Sequence, residues 1–380
     1  MKQSLIVILC LAVSNILSLK KRQGKGCEVT QCCKTNIDGV SAEFCPTEDK
    51  NIFAIMNYPA QVVVPRLGVP GIKYYRDVVE KSNKFTLRVL VMNAWGFNVW
   101  AEDKQTRMPA IAAFLKQSNH DIVFIQEVWY HSDFQKLHDT FPYSTLYGSP
   151  GSLLCPAVSN DQSFYLQLLP VDCHGMMILS KHKILDNNHI FFQDRIPELE
   201  ERFARRGAFA ATLEVEKSVA GVNKSVKICA INTHLATWYS ETEELWTRVR
   251  ESQAEEVMSM VAEHKNKADI VVLAGDLNST PGSPVYKKLI SAGMTDSLVN
   301  LKGNKSTDTK FATYGHADNT WTAEEHTDRI DYVLYTHNNK VTARTSAYRT
   351  VSAKTEKEGE MISLSDHMWV EAFIRINIEE

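Results

Sequence analysis

Ile270-Val271-Val272-Leu273-Ala274-Gly275-Asp276-Leu277-Asn278 is a short apolar run that stops on a glycine, a carboxylate and an amide. A run this brief and this rich in Val and Ile reads as a buried strand, because helices need a longer stretch to repeat their period. Its polar residues then fall at the strand's end, where a rigid sheet presents functional groups. Taken alone the same residues could form a plain turn, since Gly, Asp and Asn all favour turns.

Working outward, comparable runs recur at 87–92, 122–125, 176–179, 208–215, 226–231, 330–335 and 368–374. Two amphipathic patterns lie between them. Met108, Ile111, Ala112 and Leu115 share one helical face, as do Leu245, Val249, Val257 and Val261 within the charged segment 241–267. Such elements bury their apolar faces as two layers of strands with helices outside. No repeat of fixed period and no low-complexity tract interrupts the pattern.

Several strand ends carry a coherent set of polar residues: Asn93, Glu127, Thr233-His234, Asp276 with Asn278, Asp331, and Asp366-His367. Carboxylates and amides are hard oxygen ligands, suited to a Mg²⁺ ion that keeps several waters and binds a phosphate oxygen. Two histidines beside such a site supply what phosphoester hydrolysis needs, one to take a proton from water and one to meet developing negative charge. Singly, Asn93 could end a strand, Glu127 could pair with a surface cation, and His234 could be a satisfied core histidine. Their joint occurrence at successive strand ends is what points to a site.

In order, Met92-Asn93-Ala94-Trp95-Gly96, Ile125-Gln126-Glu127-Val128-Trp129, Asn232-Thr233-His234-Leu235, Gly275-Asp276-Leu277-Asn278, Arg329-Ile330-Asp331-Tyr332-Val333 and Leu364-Ser365-Asp366-His367 resemble the motifs of the endonuclease/exonuclease/phosphatase superfamily, which includes deoxyribonuclease I. The resemblance spans residues 86–376 and implies a four-layer α-β-β-α sandwich of two mixed sheets flanked by helices. It implies Glu127 as principal metal ligand, helped by Asn93 and Asp366, and His367 as general base oriented by Asp331. Asp276 and Asn278 would position the attacking water and the scissile phosphate, and His234 would stabilise transition-state charge. Asn93 and Asn278 would also contact substrate. The implied reaction is in-line attack of water on phosphorus with Mg²⁺ as cofactor.

The superfamily cleaves several phosphodiesters, so fold alone does not choose among them. Glu127-Val128-Trp129 followed by Asp133-Phe134-Gln135, Leu179-Ser180-Lys181-His182, and the 329–335 and 364–367 segments are similar to neutral sphingomyelinases. That resemblance implies hydrolysis of sphingomyelin to ceramide and phosphocholine. The segment 150–173 carries Leu153, Leu154, Phe164, Tyr165, Leu166, Leu168 and Leu169 with no Lys or Arg, which suits peripheral contact with a membrane or packing against the protein itself. Ala236-Thr237-Trp238 departs from the His-Ala-Glu-like run expected after the Thr-His-Leu motif. Nucleic acid is the alternative substrate, and Arg202, Arg205 and Arg206 could grip its backbone, grip one lipid phosphate, or merely balance Glu198, Glu200 and Glu201. A third expectation is an inactive binding or toxin-like protein on the same fold.

A net charge of −3 over 380 residues argues against nucleic-acid binding through a general positive field. Residues 1–19 begin Met1-Lys2-Gln3 and continue as an apolar run too short to span a bilayer comfortably, which reads as a signal peptide on a secreted protein; an uncleaved anchor is the rival. Residues 20–85 form a separate segment in which Cys27, Cys32, Cys33 and Cys45 suit two disulfides in an oxidising compartment. Cys155 and Cys173 could close a loop, whereas Cys229 sits inside a strand pattern as a buried, inert thiol. Glycosylation sequons occur at Asn223, Asn278 and Asn304, the middle one in conflict with a phosphate-binding role. Nothing in the sequence calls for an obligate protein partner.

Overall fold

The computed structural model describes residues 83–97, 101–145, 174–194, 205–219, 222–237, 243–303, 308–322 and 327–379, together with strands β1 (Cys33–Ile37), β2 (Val40–Pro46) and β3 (Ile52–Met56). The chain packs as two units, Met1–Val78 and Val79–Glu380. In the first, β1, β2 and β3 form an antiparallel three-stranded sheet. The expected leader and the apolar segment 150–173 lie outside the described residues, as do Cys27, Cys32, Cys155 and Cys173 of the expected cysteine pairings, whereas Cys33 starts β1 and Cys45 lies in β2.

The second unit contains β4 (Lys84–Asn93), β5 (Ile122–Gln126), β6 (Tyr143–Ser144), β7 (Met177–Ser180), β8 (Lys183–Phe191), β9 (Gly207–Val219) and β10 (Val222–His234). It continues with β11 (Ile270–Asp276), β12 (Thr295–Asp296), β13 (Asp331–His337), β14 (Val341–Val351), β15 (Lys354–Lys357), β16 (Glu360–Ser363) and β17 (Trp369–Ile378). Its helices are α1 (Lys104–Gln117), α2 (His131–His138), α3 (Glu243–Lys265), α4 (Pro284–Ser291) and α5 (Ser297–Lys302). One six-stranded sheet runs β14-β17-β4-β5-β7-β6 and the other β12-β13-β11-β10-β9-β8. Each contains one parallel pair, β4 with β5 and β10 with β11, among antiparallel neighbours. The expected α/β sandwich of two mixed sheets is therefore present.

Side-chain alternation explains why the strands read as unbroken apolar runs. Along β11, Ile270, Val272 and Ala274 face the core between the sheets, while Val271 and Leu273 face Val257, Val261 and Leu289 on the helices outside. Along β4, Leu87, Val89 and Val91 point inward, and Leu90 and Met92 pack against Met108, Ile111 and Leu115 of α1. Both faces are covered, so neither position can be polar. The strands at the margins broke this rule and were not expected. In β8 and β14 exposed residues alternate with half-buried and buried ones, which weakens the apolar signal. α4 has a clear start, Pro284 after Ser283, whose hydroxyl accepts from the Tyr286 amide.

Cys229 is buried and free, and burial raises its thiol to about 12, as the inert reading requires. Among the described residues no helix is long and apolar enough to cross a membrane.

His174, ahead of β7, is buried among His189, Phe191 and Phe209. Its Nδ1 accepts the Met176 amide, and burial, with the nearby His189, lowers the imidazole to about 3. The unfolded chain binds this proton near pH 6.5, so the folded state loses stability as pH falls from about 6.5 toward 3, by up to about 1.4 kcal/mol per unit. We expect His174→Gln, which keeps an acceptor for Met176, to flatten that slope relative to the native protein in urea titrations between pH 7 and 4. Equal slopes in the two proteins would refute this.

Candidate active site

The alternation that builds the inter-sheet core continues to one end of the sandwich and there turns polar. Val91 is followed two residues later by Asn93, Phe124 by Gln126, Ala230 by Asn232 and His234, and Ala274 by Asp276. Parallel pairing brings the exits of β10 and β11 to the same end, and antiparallel pairing brings the start of β13 there too. His234 is in register with Asp276, and Asp276 with Asp331. In the facing sheet Asn93 is in register with Gln126. Gln126 Nε2 donates to Asn232 Oδ1 at 2.6 Å, and Asn232 Nδ2 donates to the carbonyls of Ile125 and Met177, so a buried amide pair joins the two sheets beneath the site.

Above this floor the predicted residues converge. His367 Nδ1 lies 2.8 Å from Asp331 Oδ2, and its Nε2 lies 3.7 Å from Asp276 Oδ2. That same oxygen is 3.3 Å from His234 Nε2 and accepts from Asn93 Nδ2 at 3.3 Å. Asn93 Nδ2 also donates to Glu127 Oε1 at 3.1 Å. Asn278 donates its backbone N–H to Asp276 Oδ1 and its side-chain Nδ2 to the Leu235 carbonyl at 3.0 Å. The turn reading and the site reading of Asp276-Leu277-Asn278 thus hold together. The Asn278 amide of the sequon is engaged with the backbone.

Backbone conformation at these positions is unusual. Glu127 and Asn278 have φ of 61° and 44°, the left-handed region that non-glycine residues seldom adopt. Gly275 has φ of 143°, and a Cβ there would sit 1.9 Å from the Thr233 carbonyl oxygen. Only glycine lets β11 approach β10 at this point.

Residues 90–367 match the endonuclease/exonuclease/phosphatase family. The chain belongs to this family. It is 25% identical to human sphingomyelin phosphodiesterase 2 over 76% of its own length and 65% of that protein's. It is also 25% identical to an inositol phosphosphingolipids phospholipase C of Schizosaccharomyces pombe, over 57% of this chain and 46% of that one. The chain thus spans 65% or less of both relatives. The solved beta toxin of Staphylococcus aureus superposes with a TM-score of 0.55 at 18% identity, covering 75% of this chain and 99% of the toxin.

Within this cluster, charge is concentrated. Burial alone would raise Asp276, yet His234, His367 and the Asn278 amide hold it well below the ordinary range. Asp331 is raised by burial and by the charge of Asp276, against the pull of His367. Burial would lower His367, but Asp331, Asp366 and Asp276 outweigh it and hold the imidazole well above its ordinary value. Asp366 rises to about 6 through burial and repulsion from Glu127.

Two groups of atoms suit a divalent cation. Asp276, Asp331 and His367 each offer one ligand atom within 4.8 Å of the others. In that group both His367 and Asp331 are already joined at 2.8 Å. Glu127 and Asp366 are half-exposed carboxylates whose mutual repulsion a hard cation would relieve, and Asn93 adds an amide beside them. The donor set fits such an ion.

Three arginines act as supports, a role the sequence did not assign to them, although it offered Arg206 as a possible phosphate contact. Arg206, rather than Arg205, lies against His234, with Nη1 2.6 Å from both ring nitrogens; the Arg205 guanidinium sits 4.0 Å from the Phe191 ring. Arg329 binds Asp296 through Nη1 at 3.2 Å and Nη2 at 2.8 Å, anchoring the segment that delivers Asp331. Arg107 is fully buried beside the exit of β4. Each is an arginine on a polar stretch, indistinguishable in sequence from a solvated one.

Gly275→Ala should cost about 2–4 kcal/mol of stability through overpacking, read as a lower urea midpoint. An unchanged midpoint would mean that the two strands part freely. Because Asp366 holds its proton up to about pH 6, Mn²⁺ affinity measured by calorimetry should fall as pH drops below 6, by up to tenfold per unit. Asp366→Asn should remove that dependence.

Proposed function

We propose that this protein is a divalent-metal-dependent phosphodiesterase acting on phosphosphingolipids, with sphingomyelin as substrate, Mg²⁺ as cofactor, and ceramide and phosphocholine as products. The observation that carries the reading is the His367–Asp331 pair at 2.8 Å, with His367 Nε2 3.7 Å and His234 Nε2 3.3 Å from the same Asp276 oxygen. The names of the relatives favour a sphingolipid over nucleic acid, and the signal-like residues 1–19 favour secretion.

When bound, the metal supplies Lewis acidity toward a phosphoryl oxygen, held by Glu127, Asp366 and Asn93. Asp331 fixes Nδ1 of His367 and so presents Nε2 to an attacking water. His367 would lose part of the negative field that keeps it protonated once Asp366 is neutralised, and it would then accept the water's proton. Asp276 and Asn278 orient water and phosphate. His234, backed by Arg206, meets the charge that grows on the phosphoryl oxygens.

Protein collected from the medium of expressing cells, incubated with Mg²⁺ and sphingomyelin vesicles, should release phosphocholine, and a chelator should abolish the release. Preference for vesicles of an inositol phosphosphingolipid would replace sphingomyelin within the same class. Cleavage of duplex DNA without phosphocholine release would sink the lipid reading, and inertness toward every phosphodiester would favour a binding role. His367→Ala should lower kcat by about 10²–10⁴-fold.

A further inference from the structure

Arg107 has a bonding pattern that its surroundings do not require for packing alone. The side chain is fully buried on α1, yet among the described residues no carboxylate lies within ion-pair distance of it. Among the described residues its guanidinium donates to backbone carbonyls alone: Nε to Glu102 at 2.7 Å, Nη1 to Ala94 at 3.1 Å and Leu364 at 2.9 Å, and Nη2 to Trp95 at 2.8 Å. Its plane lies 4.6 Å from the Trp95 ring. A buried charge without a partner ion is costly, so a feature that keeps it in place must offset that cost.

The accepting carbonyls identify that feature. Ala94 and Trp95 directly follow Asn93, and Leu364 lies two residues before Asp366. The Ala94 amide in turn donates to the Gln126 carbonyl at 3.0 Å, and Gln126 directly precedes Glu127. A single guanidinium fork therefore joins the segments that carry Asn93 and Asp366, and through the Ala94 amide it is tied to the segment that carries Glu127. The nearby charges of Asp366 and Glu127 act on it through space, and despite burial it stays charged at neutral pH, lowered only to about 10. A lysine cannot reproduce this geometry, because its single nitrogen cannot reach carbonyls on both sides of the fork.

Resting on the metal-dependent reading of the site, we propose that Arg107 is a positioning residue that sets the spacing of Glu127, Asn93 and Asp366 for a divalent cation. It touches neither substrate nor cation and acts through the backbone of the segments it binds.

The test compares the native protein with Arg107→Lys, Arg107→Ala and Lys104→Met. The last variant breaks the buried Lys104–Asp133 pair on the same helix and serves as a control for simple destabilisation. Mn²⁺ binding is followed by electron paramagnetic resonance, thermal unfolding by calorimetry, and kcat and KM on phosphodiester vesicles. Arg107→Lys should weaken Mn²⁺ binding by about 10–100-fold, as expected when an outer support of a metal ligand is lost. Its kcat should fall by about 100-fold, with KM changed far less. Millimolar guanidinium should restore part of the Mn²⁺ affinity of Arg107→Ala. Lys104→Met should lower the unfolding temperature without altering Mn²⁺ affinity.

An Arg107→Lys protein that binds Mn²⁺ within about threefold of native, while unfolding at lower temperature, would overturn the proposal and leave Arg107 a structural residue. Should Arg107→Ala fail to fold, Arg107→Lys decides alone, since it keeps the charge and reaches one of the carbonyls. Native protein that binds no Mn²⁺ would instead overturn the metal reading of the site, and this role with it.

Discussion

The alternation of side chains across two facing sheets is the constraint on which the rest of this structure depends. A strand presents every second residue to the same face, so residues that line the inter-sheet core and residues that line the site belong to one series. Val89, Val91 and Asn93 form such a series, as do Ile228, Ala230, Asn232 and His234. A slip of one residue would bury His234 or Asp276 against the outer helices and expose apolar side chains in the cleft. The apolar core thus sets the register, and the register places the chemistry. The bond between Gln126 and Asn232 marks the level at which one gives way to the other.

Among the described residues, three of the five non-glycine residues with positive φ stand at the same level, the others being Asp103 ahead of α1 and Glu358 in the turn between β15 and β16. Glu127, Asn278 and Trp95 hold positive φ just beyond strand ends, and Gly275 permits a close approach that any side chain would block. Non-glycine residues in such conformations cost about 1–3 kcal/mol each and persist only where the surroundings impose them. Here the imposing partners are identifiable. Asn278 is held by Asp276 and the Leu235 carbonyl, and Trp95 donates its amide to Asn93 and accepts from Arg107. The cost falls on residues that must face the cleft at an angle a regular strand cannot give.

The sequence revealed most where two physical demands coincided. Core strands such as β5 and β11 are buried on both faces, so their apolar runs were plain, and the polar residues at their ends stood out by contrast. Asp276, Asp331 and His367 were readable because they interrupt such runs. Strands β8 and β14 were missed because an exposed face dilutes the apolar pattern. Short α2 and α5 were missed because six to eight residues hardly establish a helical period. Arg107, Arg206 and Arg329 were invisible as supports, since their partners lie far along the chain: Arg107 with Leu364, and Arg329 with Asp296. Arg205 illustrates the same limit from the other side, because one position along the chain just ahead of β9 decides whether an arginine meets His234 or Phe191.

Four acidic residues, Glu127, Asp276, Asp331 and Asp366, lie within one small region, and folding must tolerate their repulsion. The structure divides them. Asp276 is held ionised by His234 and His367, while Asp331 shares the charge of His367. Asp366 receives help from the charges of His367 and Arg107 and one hydrogen bond from Ser365 Oγ, yet burial and Glu127 outweigh them and it keeps its proton to about pH 6. The negative charge left least compensated therefore lies with Glu127 and Asp366, at the half-exposed mouth rather than on the buried floor. A hard cation entering from solvent meets those two carboxylates first. The histidines remain committed to Asp276 and Asp331, so on the proposed reading metal binding and proton transfer would fall to different residues at one end of the two sheets.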